Sequence, residues 1–171
     1  MCAIPESLRM TEPEYLEFER ENESKHEYFC GEVFAMARAS ANHTLICSYV
    51  ASALIVALGD KPCAVYQNDM RVKVSATGLF TYPDVSVVCG DPQFADDIFD
   101  TLLNPIVLIE VLSPSTEAHD RGKKFQDYRQ IPSLQEYLLI SQDSARIERY
   151  LRQNDKTWIL WHGCTARIIF T

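Results

Sequence analysis

With 171 residues, 47% of them hydrophobic and 23% charged, the chain carries enough apolar material for one globular domain with a sizeable core, and a single domain over 1–171 is expected. No apolar run reaches the roughly 18 residues of a membrane span, and Met1 to Met10 lacks the basic-then-apolar order of a signal peptide, so a soluble, cytoplasmic protein without a membrane partner is expected. The net charge of −8 weighs against a nucleic-acid partner, because Lys and Arg dominate phosphate binding, but residues 1–35 alone hold nine acids against three bases and account for most of it.

Thr11 followed by Glu14 has the pattern of a capping box, and Pro13 suits a first turn, which predicts a helix over about 12–23. The runs 26–29 and 32–36 flank Cys30-Gly31 and read as a hairpin. From Ala41 to Leu58 the residues Leu45, Ile46, Tyr49, Val50, Ala53, Leu54, Ala57 and Leu58 recur at helical spacing before Gly59, predicting a long core helix. Strand runs follow at 63–67, 70–74, 84–89 and 105–112. A helix over about 120–130 carries Arg121, Lys123, Lys124 and Arg129 and ends before Pro132. The chain closes on strand runs at 136–140, 146–151, 157–161 and 166–170. The fold class is α/β in the α+β sense, a central mixed sheet flanked by helices.

Six cysteines at 2, 30, 47, 63, 89 and 164 contain no Cys-x-x-Cys pair. Several lie in apolar surroundings such as Val87-Val88-Cys89, so reduced, packed thiols are expected rather than a zinc ribbon or a redox motif. His26, His43 and His162 show no metal-ligand spacing.

One charge stands out. Glu110 interrupts Pro105-Ile106-Val107-Leu108-Ile109-Glu110-Val111-Leu112, a run otherwise apolar on both faces, and a lone ionised carboxylate in a buried strand must be neutralised, paired or bound to a metal. If the preceding strand, Asp84 to Cys89, pairs antiparallel with it, Asp84 at the start of one lies beside Glu110 at the end of the other. Two such carboxylates are stabilised by a hard divalent cation or by a shared proton. Lys124, one turn from both Asp120 and Tyr128 on the next helix, can reach the same place. The bland alternatives are that Asp84 merely starts a strand after Pro83, that Glu110 pairs with a core Arg such as Arg71, that Lys124 is a solvated helix lysine, and that Glu27 is surface charge. Ser113, Ser115 and Thr116 suggest a turn and an N-cap more than a nucleophile, with His119 the one histidine near them in sequence.

The composite of Tyr82-Pro83-Asp84-Val85, then Ile109-Glu110-Val111-Leu112-Ser113-Pro114-Ser115-Thr116, with a lysine close by, resembles the PD-(D/E)XK nuclease superfamily. Together with His26-Glu27-Tyr28, Gly31-Glu32-Val33, Asn68-Asp69-Met70-Arg71-Val72, the stretch 120–128 and Ile131-Pro132-Ser133-Leu134-Gln135-Glu136-Tyr137-Leu138, it resembles more closely the Uma-two family of restriction-endonuclease-like proteins, over about 11–161. The resemblance implies a restriction-endonuclease-like core and a metal-dependent endonuclease acting on DNA. Mg²⁺, with Mn²⁺ as a substitute, would be held by Asp84, Glu110 and the Val111 carbonyl. Lys124 would orient water or steady negative charge, and Glu27 would assist from a second side. The superfamily's usual lysine, two residues after the glutamate, is Leu112 here, and in the Uma-two pattern it sits on the next helix at Lys124. A homodimer without an organic cofactor follows by analogy, since two strands call for two sites. The reading from a different class is a catalytically silent, nuclease-like module that binds nucleic acid or protein.

Overall fold

The capping box forms as the sequence suggests. In the computed structural model, which describes residues 9–164, the Glu14 carboxylate accepts from both the Thr11 backbone N–H (2.8 Å) and the Thr11 hydroxyl (2.7 Å) and opens α1, Glu12–Glu21. The hairpin follows as β1, His26–Phe29, and β2, Glu32–Ala35, with Cys30 and Gly31 both at positive φ in the turn. Then come α2, Ala41–Leu58, with Ser40 accepting from the His43 N–H, and β3, Cys63–Gln67. Beyond it lie β4, Arg71–Val74; β5, Leu79–Thr81; β6, Val85–Cys89; β7, Thr101–Leu102; and β8, Val107–Leu112. A helical crossover runs from α3, Glu117–His119, through a π-helical turn, Asp120–Lys124, into α4, Phe125–Tyr128. The strands β9, Glu136–Ser141, β10, Ile147–Arg152, and β11, Trp158–Gly163, complete the described chain. The expected strand at 166–170 lies outside the described residues.

The mixed class is as expected, with the strands divided between two sheets. A six-stranded sheet has the order β11-β10-β9-β8-β6-β3, and a five-stranded one the order β2-β1-β5-β4-β7. The second sheet depends on β5, which pairs with both β1 and β4, and on β7 beside β4. Strands of three and two residues carry too little periodicity to be read from sequence. In the larger sheet β8 and β9 are parallel, so a crossover is obligatory, and the segment 117–128 supplies it. The crossover lies against one face through Phe125 and Tyr128, which join Leu108, Leu112, Tyr137 and Leu139. On the other face α2 buries Ala51, Leu54 and Leu58 against Val85, Val87, Val107 and Ile109.

Four expectations need correction. Cys63 and Cys89 are joined in a disulfide, not held as reduced thiols, because β3 and β6 pair with these two residues directly opposite; a sequence separation of 26 hides that neighbourhood. Among the described residues, Cys47 is the buried free thiol, whereas Cys30 and Cys164 are exposed. The helix α2 exists at the expected bounds, but its buried residues are Cys47, Ala51, Leu54 and Leu58, while Leu45, Tyr49, Ile55 and Val56 are exposed. A helix apolar on all sides gives no stripe from which its packed face can be read. It is also 18 residues long with a mean hydropathy of 1.6, so a segment long and apolar enough to cross a membrane is present after all. The third helix is not one regular rod from 120 but starts at Glu117 and widens over Asp120–Lys124.

Candidate active site

The antiparallel register of β6 and β8, with Val85 opposite Ile109, puts Asp84 beside the end of β8, as the strand argument required. The Val111 N–H donates to Asp84 Oδ2 at 2.7 Å. A strand residue presents its N–H and C=O along the same edge, so the Val111 carbonyl faces the side of Asp84, where the β6 ladder has ended. Side chains alternate along β8: Val107 and Ile109 pack toward α2, Leu108 and Leu112 toward the crossover, and Glu110 falls on the crossover side.

There Glu110 meets its partners. Its Oε1 lies 2.9 Å from Lys124 Nζ and accepts the Tyr128 hydroxyl at 2.8 Å. Lys124 Nζ also stands 3.2 Å from Glu27 Oε1 and 3.7 Å from Asp120 Oδ1. Glu27, on β1 of the smaller sheet, accepts a further hydrogen bond from Thr81 on β5. Glu27, Glu110, Asp120 and Lys124 are all buried, so the ammonium is the centre of a carboxylate cage assembled from both sheets and the crossover.

Electrostatics in this cage follow from burial and charge count. Burial, reinforced by Asp120 and Asp84 and opposed by Lys124, pushes the Glu110 carboxyl up to about 8. Burial likewise raises Asp120, against the pull of Lys124. For Glu27 burial acts upward, but Lys124 and the Thr81 hydrogen bond outweigh it and the net direction is down. Lys124 is held well above its ordinary value, since Glu110 and Glu27 outweigh the desolvation of the ammonium. The lysine therefore keeps its proton, while burial works against the charged forms of both Glu110 and Asp120.

The cage opens into a cleft of about 910 Å³ lined by Glu27, His43, Asp84, Glu110, Val111, His119, Asp120 and Lys124, among others. Six acidic side chains line it against three Lys or Arg side chains, with His43 and His119 beside them, a surplus of acidic groups over Lys and Arg whose oxygens suit a hard cation. The basic clusters noted in the sequence do not offset that surplus. Arg121 is paired with Glu117 and Glu148, Lys123 with Asp127, Lys73 with Glu12. Arg71 pairs with Asp100 at 2.9 Å and donates to Tyr82, not to Glu110.

The structure thus gathers Asp84, Glu110, Val111, Lys124 and Glu27 in one place. It also brings in groups that sequence reasoning left unassigned. Tyr128 and Asp120 share a helix face with Lys124 at four-residue spacing, a signal visible in the sequence. His43, at the start of α2, has its Nε2 3.1 Å from Asp84 Oδ2; Asp84 and the neighbouring Cys47 raise its imidazole to about 10. Nothing in the sequence joins residue 43 to residue 84. Ser113 meets Ser115 and Thr116 through their hydroxyls, a turn before α3.

Two mixed sheets meet at a buried carboxylate–lysine cage, with Glu110 on β8 and Asp84 directly before β6, and the fold is that of nuclease-like proteins. The sequence profile of the Uma-two family (Uma2), described as "Putative restriction endonuclease", matches residues 12–161, and the chain belongs to that family. Two proteins of Synechocystis sp. are similar along their length: uncharacterized protein sll1609, 36% identical over all of this chain and 98% of its own, and uncharacterized protein slr1290, 38% identical over 89% of this chain and 79% of its own. Among solved structures, a "putative nuclease belonging to DUF820" from Anabaena variabilis has the same fold, with a TM-score of 0.75 and 20% identity over 95% of this chain and 89% of that one.

Proposed function

We propose that this chain is a Mg²⁺-dependent endonuclease that hydrolyses DNA phosphodiester bonds, with Mn²⁺ as a substitute cation. The observation that carries the reading is the convergence of Asp84, Glu110 and the Val111 edge of β8 on one cleft beside a buried lysine. The donor set fits the cation: two carboxylates and a main-chain carbonyl are hard oxygen ligands. Mg²⁺ bound there would lower the pKa of a water and offset charge on the phosphoryl oxygens. The residues do the rest. Lys124, charged and fixed by three carboxylates, presents N–H donors beside the position of the attacking water. Tyr128 orients Glu110, and Glu27 orients Lys124 from the second sheet. Cleavage of both strands of a duplex calls for two such sites, so a homodimer is the expected assembly, without an organic cofactor.

The test is a plasmid-cleavage assay in Mg²⁺ or Mn²⁺. Wild type cuts, and Glu110→Ala loses about 100-fold or more, as expected for a lost metal ligand. Equal cutting by both, or no cutting with any metal, overturns the reading.

One observation favours the second reading, a catalytically silent module. The Lys124 ammonium is already held by Glu110 at 2.9 Å and Glu27 at 3.2 Å, and the cleft is acid-rich. That reading predicts salt-dependent DNA binding that is indifferent to metal.

A further inference from the structure

The first turns of α2 carry ligating side chains that the nuclease reading does not use. His43 and Cys47 stand four residues apart, one above the other on a single helix face. That face meets Asp84. The imidazole lies between the two others, Nε2 3.1 Å from Asp84 Oδ2 and Nδ1 3.5 Å from Cys47 Sγ. One ligand atom from each of the three residues lies within 4.8 Å of the others. Cys47 is buried and the other two are half-buried, while His43 and Asp84 line the open cleft, so the cluster is shielded from bulk water and still has an entry path.

We propose that His43, Cys47 and Asp84 form a binding site for a borderline-soft divalent cation, Zn²⁺ above all, which shares only Asp84 with the oxygen-donor set of Asp84, Glu110 and Val111. The donor chemistry decides the class of ion. An imidazole nitrogen, a thiolate and a carboxylate oxygen are the three kinds of ligand zinc takes, and three protein ligands leave a fourth position for water. A thiolate is a poor ligand for Mg²⁺ and Ca²⁺, so the site discriminates against the hard ions that suit the neighbouring set. Ligand atoms around a tetrahedral zinc with bonds of about 2.0–2.3 Å stand roughly 3.3–3.8 Å apart. The widest present spacing exceeds that range by about an ångström. On binding, the Cys47 thiol and the His43 imidazolium each give up a proton to solvent. Because Asp84 belongs to both sets, zinc on the helix takes a carboxylate from the hard-cation site. That consequence rests on the nuclease reading; the binding itself does not.

The experiment is a Co²⁺ titration of the full chain, followed by displacement with Zn²⁺. One equivalent of Co²⁺ should give a near-ultraviolet thiolate-to-cobalt charge-transfer band that Zn²⁺ abolishes. Cys47→Ala should lose the band and bind Zn²⁺ about 100-fold more weakly or worse, while Glu110→Gln keeps the band and changes Zn²⁺ affinity by no more than about twofold. Cys47→Ser, closer in size to the native side chain, replaces the alanine variant if that one fails to fold by circular dichroism. Absence of the band in wild type, its survival in the Cys47 variant, or its loss in folded Glu110→Gln overturns the proposal. No readout depends on DNA cleavage, so the nuclease reading can fail while this one stands.

Discussion

Lys124 is the residue on which most of the charge in the cleft depends. It is buried with three carboxylates within 3.7 Å, and removing the one cation leaves buried negative charge without compensation. Lys124→Met should cost about 3–5 kcal/mol in urea unfolding, the usual penalty for breaking a buried ion pair. Adding Glu27→Gln to it should recover part of that loss, because one stranded charge is removed; a double variant no better than the single would contradict the cage. Away from the cleft, Asp100 accepts from Arg20 at 2.7 Å and meets Arg71 at 2.9 Å, and the Arg20 hydrogen bonds hold its carboxyl well below the usual carboxylate range. A carboxyl depressed in the fold contributes stability that is complete above its unfolded pKa and is lost as pH falls through the folded one. Stability should therefore drop on acidification below about pH 4, and Asp100→Asn should flatten that limb in urea midpoints taken across it.

At the scale of elements, the crossover decides whether the lysine reaches the strand. The π-helical turn keeps Asp120 and Lys124 buried toward the cleft, while Arg121 turns to Glu117 and Glu148. Such widened turns occur often at functional sites. Gly122 sits inside this turn, outside the left-handed region, and a Cβ there would meet nothing within 4 Å. Gly122→Ala should stabilise the chain by about 0.5–1 kcal/mol through the unfolded state, with cleavage unchanged. A loss of activity without a loss of stability would show that the turn must flex. The crossover helix, the hairpin and α2 were legible in sequence through caps, spacing and stop signals. The widened turn was not, because over five residues a π turn cannot be told from an α turn by side-chain spacing.

For the molecule as a whole, the two sheets meet where Glu27 reaches Lys124, so the cleft is a product of their assembly. The larger sheet is also tied covalently at its β3 edge by Cys63–Cys89. Closing a loop with a sequence separation of 26 is worth about 3.5 kcal/mol in the chain-entropy account. Dithiothreitol should lower the urea midpoint of wild type by a corresponding amount and leave that of a Cys63→Ala/Cys89→Ala variant where it is. An unchanged wild-type midpoint would mean that the bond does not contribute in solution.

Strand alternation and the cost of a lone buried carboxylate were enough, from sequence, to single out Glu110, to place Asp84 beside it and to bring Lys124 within reach. Those are local or nearest-strand relations, set by periodicity and by the antiparallel pairing of consecutive strands. Glu27 was reached only through family resemblance, and its burial beside Lys124 depends on β5, a strand too short to leave a pattern. His43, Cys47 and the Cys63–Cys89 bond depend on contacts between segments far apart in the chain, and α2 is apolar all round and so does not announce which face it turns inward. Sequence determined which charges needed partners, because burial follows from local pattern. The tertiary structure alone decided which partners they have, because distance between remote segments follows only from how the sheets and helices pack.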